Sequence, residues 1–502
     1  MKLFLCATAL SSVFAIGAAT ITWNGAGDGT TWDMDGNWQG GVAPGEEDTA
    51  RIESYAGDIV ISSPTNVAAL TAATTGSSHI HLFVQSDFTV AGEAKFATQN
   101  GAKATINQSA GKTTVGSKLT LGGTNSNTVE WDMHGASASL ETPVLFAVQY
   151  RGAGSCGFVA RDGATLTVTS KVDLGHEGGN ANTPPGLGYL KVLDGASATV
   201  KDLVFVSSGY GQVDVSNATL TVTGTILGNG SADPVHGLDY STVNVWKDGK
   251  VVASTIAFSQ YTASHEQMVQ WPGSDVQVAT LKLAGYGQGG TGSATDCRYI
   301  VNGGTLTITG SPVVGSNGQG EMHLNGGTST ISGSNIRVDN VKDTSTTQYE
   351  PSKLRLAGDA ILSASNAKLW MNRVDDWTIR GGRVALELEG GMFDATVKGL
   401  EWATVASDPH QSIIAIVDET GLAGLKVKEN VTFGSPLVVE PSALEGAPYG
   451  TYTILSWEGT ATGLENVSLS PDASPQWKLY VLEAQKCIRL RHSPKRFMVV
   501  VR

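Results

Sequence analysis

The chain has 502 residues, of which 62 are Gly, 16% are charged and 7% are aromatic, and its formal net charge is −13. Glycine stands well above its usual share of roughly 7%, which with so few charges argues against helical bundles and for many short strands joined by tight turns. The negative balance excludes a nucleic-acid partner, whose phosphates demand a basic face.

Lys2 precedes an apolar run from Leu3 to Ala19 that closes on Ile16-Gly17-Ala18-Ala19. A positive start, an apolar stretch and small residues at Gly17 and Ala19 predict a secretory signal, residues 1–19, cleaved after Ala19. No later segment has the length of a transmembrane helix, so no membrane span is expected in the mature chain. Cleavage removes Cys6 and leaves Cys156, Cys297 and Cys487. An odd number of cysteines leaves at least one thiol outside any bridge.

Residues 20–55 are set apart by Trp23, Trp32 and Trp38, three of only eleven tryptophans in the chain. Bulky aromatics suit an N-terminal cap that closes the open core and unpaired edge of a stacked fold. The alternative is a sugar-binding platform, since indole faces suit the apolar faces of pyranose rings. Asp33-Met34-Asp35-Gly36-Asn37 has the start of a calcium loop but not its later carboxylate, because position 44 is Pro, so a plain turn is expected.

Residues 56–430 form the repeating body, in which one phrase keeps returning up to residue 345 and then thins out: Asp162-Gly163-Ala164-Thr165-Leu166-Thr167-Val168, then Asn302-Gly303-Gly304-Thr305-Leu306-Thr307-Ile308. Asn or Asp with Gly tolerates the positive φ of a tight turn, and the alternation that follows is a strand with one face inward. Weaker copies begin at Gly135, Asp194, Asn217 and Asn325, so neighbours lie 28, 32, 23 and 23 residues apart (135 to 163, 162 to 194, 194 to 217, 302 to 325). One strand phrase per period of this size predicts stacked coils, a β-solenoid. Gly-rich interruptions at 175–188 and 285–292 predict loops on one side of the stack. Cys156 and Cys297 are 141 residues apart, about five coils. That is on the order of 20 Å at a rung spacing near 4.8 Å, too far for a disulfide. Residues 431–502 carry longer, more aromatic strands and a basic tail, as a closing β-cap requires.

The pattern Trp23-Asn24-Gly25, Trp32, Asn37-Trp38, Gly40, Pro44 and Asp48-Thr49-Ala50 resembles the opening of exported bacterial proteins with autotransporter-associated β-strand repeats. The Gly-Gly-Thr-Leu-Thr-Ile phrase and the closing Gly450-Thr451-Tyr452-Thr453-Ile454-Leu455 are similar to that group as well. The resemblance implies an all-β, right-handed parallel β-helix, secreted or on the cell surface, without catalytic residues to carry over. No barrel-sized run of strands follows residue 430, so the translocator barrel of an autotransporter is not expected here.

Few motifs point to chemistry. Gly285-Tyr286-Gly287-Gln288-Gly289-Gly290 fits a dinucleotide fingerprint, but Thr291-Gly292-Ser293 follows where a helix must start, and no cofactor is expected. His79 and His81 share a strand face, yet no third ligand stands near them, so no metal is expected either. The one constellation to retain is Asp375, Asp376, Arg380, Arg383, Glu387 and Glu389. Polysaccharide hydrolases use paired carboxylates, and Glu387 and Glu389 two apart on a strand stand roughly 6 to 7 Å from each other. Two functions follow: a non-enzymatic solenoid for surface display, adhesion or matrix, with glycan or cell-surface partners, or a polysaccharide-active β-helix enzyme.

Overall fold

The computed structural model describes residues 18–55, 57–73, 78–123, 127–149, 154–176, 186–206, 210–228, 241–258, 265–283, 296–315, 319–339, 351–372, 383–403 and 411–494. It is a parallel β-solenoid of about 13 turns, 66% strand, with no α-helix among the described residues. Each turn visits three faces. One circuit runs His79–Val84 on the first face, Phe88–Val90 on the second and Glu93–Phe96 on the third, then returns to the first at Lys103–Gln108. From Ala138 to Leu283 the second- and third-face strands fuse, whereas in Asp296–Ile308 and Gln319–Ile331 the first- and second-face strands fuse instead. Thr165–His176 serves both faces, and its ladder slips in register between Val168 and Lys171, at the corner.

The repeated phrase forms the corner between first and second faces. Asp162 and Gly163 have φ of 56° and 84°, the left-handed pair that lets the chain turn sharply before Thr165 begins the next strand. Along the second face Leu140, Leu166, Ala198 and Leu220 are consecutive register partners. All four are at most 1% exposed. A rung spacing of about 4.8 Å brings each against the next, and fully burying one such aliphatic side chain contributes roughly 1.5–3 kcal/mol. Their alternate neighbours Glu141, Thr167, Thr199 and Thr221 form an outward row in the same registers.

Coil length varies at the third-to-first corner. The chain needs only residues 206 to 210 to pass from Ser197–Val206 to Tyr210–Ser216, but 176 to 187, 283 to 296 and 371 to 384 elsewhere. Both Gly-rich stretches therefore belong to this one edge. Register partners on the first face accordingly lie from 23 residues apart (Asp58 with His81) to 32 apart (Glu321 with Lys353). Cys156 and Cys297 occupy one inward row of that face, five rungs apart through Gly188, Gly211, Ser241 and Glu266. Both are buried thiols, as their separation requires.

The two ends close differently. Trp23, Trp32 and Trp38 are 5%, 1% and 1% exposed and pack edge to face, Trp32 against Trp38 at 4.9 Å and against Phe88 of the second face at 5.6 Å. They plug the first coils, and their burial leaves no indole face for a sugar to stack on. Beside them Asp35–Asn37 is a short 3-10 turn, not a cation loop. Its buried Asn37 accepts from the N–H groups of Gly27 and Gly29 and donates to Asp28 and the Thr31 carbonyl. At the far end, parallel rungs continue to Val467–Leu469, and Gly450–Trp457, parallel to Leu425–Val427 on one side, pairs antiparallel on the other with Cys487–His492, which pairs antiparallel with Trp477–Leu482. The antiparallel strands end the second-face ladder.

Candidate functional site

Ionisable side chains gather on the outward side of the first face, over the four coils whose strands there are Asp296–Ile308, Gln319–Ile331, Ser352–Leu356 and Val384–Glu389. Strict alternation produces the cluster. In Lys353-Leu354-Arg355 and Glu387-Leu388-Glu389 the leucines point into the core and the charges point out. Register sets Arg355 beside Glu387 and beside His323 of the preceding rung.

Glu321, Glu387 and Glu389 are each met by basic side chains. Lys353 Nζ stands 2.9 Å from Glu387 Oε2, Arg355 Nε stands 3.1 Å from Glu387 Oε1, and the same guanidinium reaches Glu389. One coil earlier, Glu321 Oε2 lies 2.9 Å from His323 Nε2 and 3.1 Å from Arg298 Nε, while Gln319 donates to Oε1 at 2.9 Å. Burial pushes the Glu321 carboxyl up, but His323, Arg298 and Gln319 outweigh it and bring it down to about 2. A proton-donating acid in glycoside cleavage needs the opposite shift.

Of the residues singled out in the sequence, Glu387 and Glu389 do share one outward strand side, joined through Arg355. Arg383 precedes their strand, and its carbonyl accepts from the Ser352 N–H at 3.1 Å. Asp375, Asp376 and Arg380 lie outside the described residues, as does Gly285 to Gly290. His79 and His81 pack ring against ring at 4.2 Å, with their Nε2 atoms 3.1 Å apart. Desolvation and then His81 push the His79 imidazole below its ordinary range, so the pair favours one neutral ring. Among the described residues no group of three or more His, Cys, Asp or Glu is placed to hold a metal ion. No helix among them is long and apolar enough to cross a membrane.

Sequence reading missed Arg298, Glu321, His323, Lys353 and Arg355. Their signal is the complementary alternation Lys-Leu-Arg and Glu-Leu-Glu one coil apart, which becomes visible only once coil length is known. It also passed over Trp246 and Trp271, which stack at 5.0 Å with an interplanar angle of 5°. No family model and no curated protein sequence matches the chain.

Proposed function

We propose that the chain is an exported, non-enzymatic β-solenoid that serves display, adhesion or matrix at the cell surface. The leader-like residues 1–19 and the resemblance to autotransporter-associated repeats support export. The observation that carries the reading is the pairing of Glu321, Glu387 and Glu389 with Arg298, His323, Lys353 and Arg355 across neighbouring rungs. Hydrolysis with inversion needs one protonated carboxyl and one carboxylate with a lone pair free for water. Carboxylates already neutralised by adjacent rungs are better suited to fixing register between coils. The outward second-face row of Thr167, Thr199 and Thr221 offers hydroxyls without acid–base power. A stack of about 13 turns at about 4.8 Å per rung is a rod on the order of 60 Å long.

A glycan array probed with the purified mature chain, run beside an assay for new reducing ends and unsaturated sugar ends on the same glycans, tests this. Binding without bond cleavage is expected. Release of new ends that is lost in Glu387→Gln or Glu389→Gln would establish the polysaccharide-active enzyme instead.

A further inference from the structure

The geometry points to a pyranose-binding subsite at Trp246, on the corner between the first and second faces. Trp246 is 38% exposed, among the few large apolar side chains left open to solvent. Its backbone N–H donates to the Val215 carbonyl and that of Trp271 donates to the Val245 carbonyl, so Trp246 and Trp271 follow each other in one outward row. Their ring centroids are 5.0 Å apart, close to the rung spacing, and nearly parallel. The indoles therefore stack along the solenoid axis, and Trp271 covers one face of Trp246.

The other face looks along the row toward the preceding rung. Val215 pairs with Val245, which makes Ser216 the partner of Trp246, and Ser216 in turn pairs with Leu193. The row thus reads Leu193, Ser216, Trp246, Trp271. Ser216 is the smallest side chain of the four. Two rungs separate Leu193 from Trp246, roughly 9.6 Å. One saturated ring with van der Waals contacts on both sides occupies about 7 to 8 Å. The slot fits a single ring lying against the indole.

The flank of the slot selects the kind of ring. Asp214, itself 9% exposed, accepts from Gln212 at 2.7 Å, Asn244 at 3.0 Å and Trp246 Nε1 at 3.3 Å. Three donors among the described residues fix this carboxylate, and about four acceptor positions leave one for a hydroxyl. An aromatic wall with a fixed carboxylate acceptor along its edge matches a pyranose, which has a C–H face and a hydroxyl rim. An aromatic or aliphatic peptide side chain would leave that acceptor without use.

This subsite deepens the adhesion reading and rests on it for its biological sense. The test is a tryptophan-fluorescence titration of the mature chain with cellohexaose, xylohexaose, mannohexaose and N-acetylchitohexaose. At least one should bind. Trp246→Ala and Ser216→Leu, the second filling the slot with the indole intact, should each weaken it about tenfold or more, with unchanged circular dichroism. Trp246→Phe should retain most of the affinity. Full affinity in both Trp246→Ala and Ser216→Leu, or no binding of any of the four, would overturn the subsite. Cleavage of a bound hexaose by the wild type would overturn the non-enzymatic reading and leave the subsite standing.

Discussion

Trp38 donates its indole N–H to the backbone carbonyl of Trp32 at 2.6 Å while its ring packs edge to face against that residue's indole. One contact thus ties together the loop that plugs the first coils. Trp32 reaches the core at Phe88, so its removal opens a cavity at the end of the stack. Trp32→Ala should cost about 3–5 kcal/mol. In a stack where each coil leans on its neighbours, the loss should appear first as faster amide exchange in Thr49–Ile52 and Ala69–Ala72. Trp32→Phe should cost much less, since the Trp32 N–H finds no acceptor among the described residues.

Gly195 and Gly304 occupy the same kind of corner, with φ of 79° and 78°, but in different surroundings. A Cβ on Gly195 meets nothing nearer than the Gly163 nitrogen at 3.8 Å, whereas one on Gly304 meets the Ser274 carbonyl oxygen at 2.3 Å. Gly195→Ala should cost about 1 kcal/mol, the strain of a left-handed L-residue alone. Gly304→Ala should cost more than twice that, because backbone must shift. Urea denaturation of the two variants checks the order.

The corner phrase is the part of the fold most legible in the sequence. Asp162-Gly163 announces its own turn, and the alternation after it announces which side faces in. The number of faces is not legible, because in Thr165–His176 the chain bends from the second face to the third without a Gly or Pro to mark it. Coil length is hidden as well. It varies at the third-to-first corner, so a pairing such as Glu321 with Lys353 cannot be counted out from a fixed period. The candidate cluster was legible only as a same-side pair, Glu387 and Glu389, and its neutralising partners come from other coils. Trp246-Lys247-Asp248-Gly249 and Trp271-Pro272-Gly273-Ser274 do carry a signal, an aromatic at the same place before two consecutive corners. Weak similarity of the surrounding phrases conceals it.

Glu321 provides a pH dependence. Its carboxyl titrates at about 2 in the fold against an ordinary value of 4.5. A carboxylate depressed by folding adds stability above its unfolded pKa, and that contribution disappears as pH falls through the folded value. The amount is on the order of 3 kcal/mol at neutral pH. Glu321→Gln should therefore be less stable than wild type at pH 7. The gap should narrow between about pH 4.5 and pH 2, as read by urea midpoints across that window.

Arg355 bridges Glu387 and Glu389, and Glu387 is 7% exposed. Arg355→Met leaves a buried carboxylate with Lys353 as its remaining ion-pair partner and should cost about 2–4 kcal/mol. Adding Glu387→Gln should recover part of that loss, a coupling that a double-mutant cycle measures directly.

The stack itself can be measured with pairs of spin labels along the outward row of the second face. Thr89 is followed in register by Thr114, Glu141, Thr167, Thr199 and Thr221, five rungs on. The row continues through Val252, Gln277 and Thr307 to Thr330, nine rungs from Thr89. It ends through Ser363, Thr396 and Lys426 at Ser456, thirteen rungs away. Labels on Thr89 with Thr221, Thr330 or Ser456 should stand roughly 24, 43 and 62 Å apart, each in one narrow distribution. A distance that stops growing between the second and third pairs would contradict the rod and every functional statement built on it.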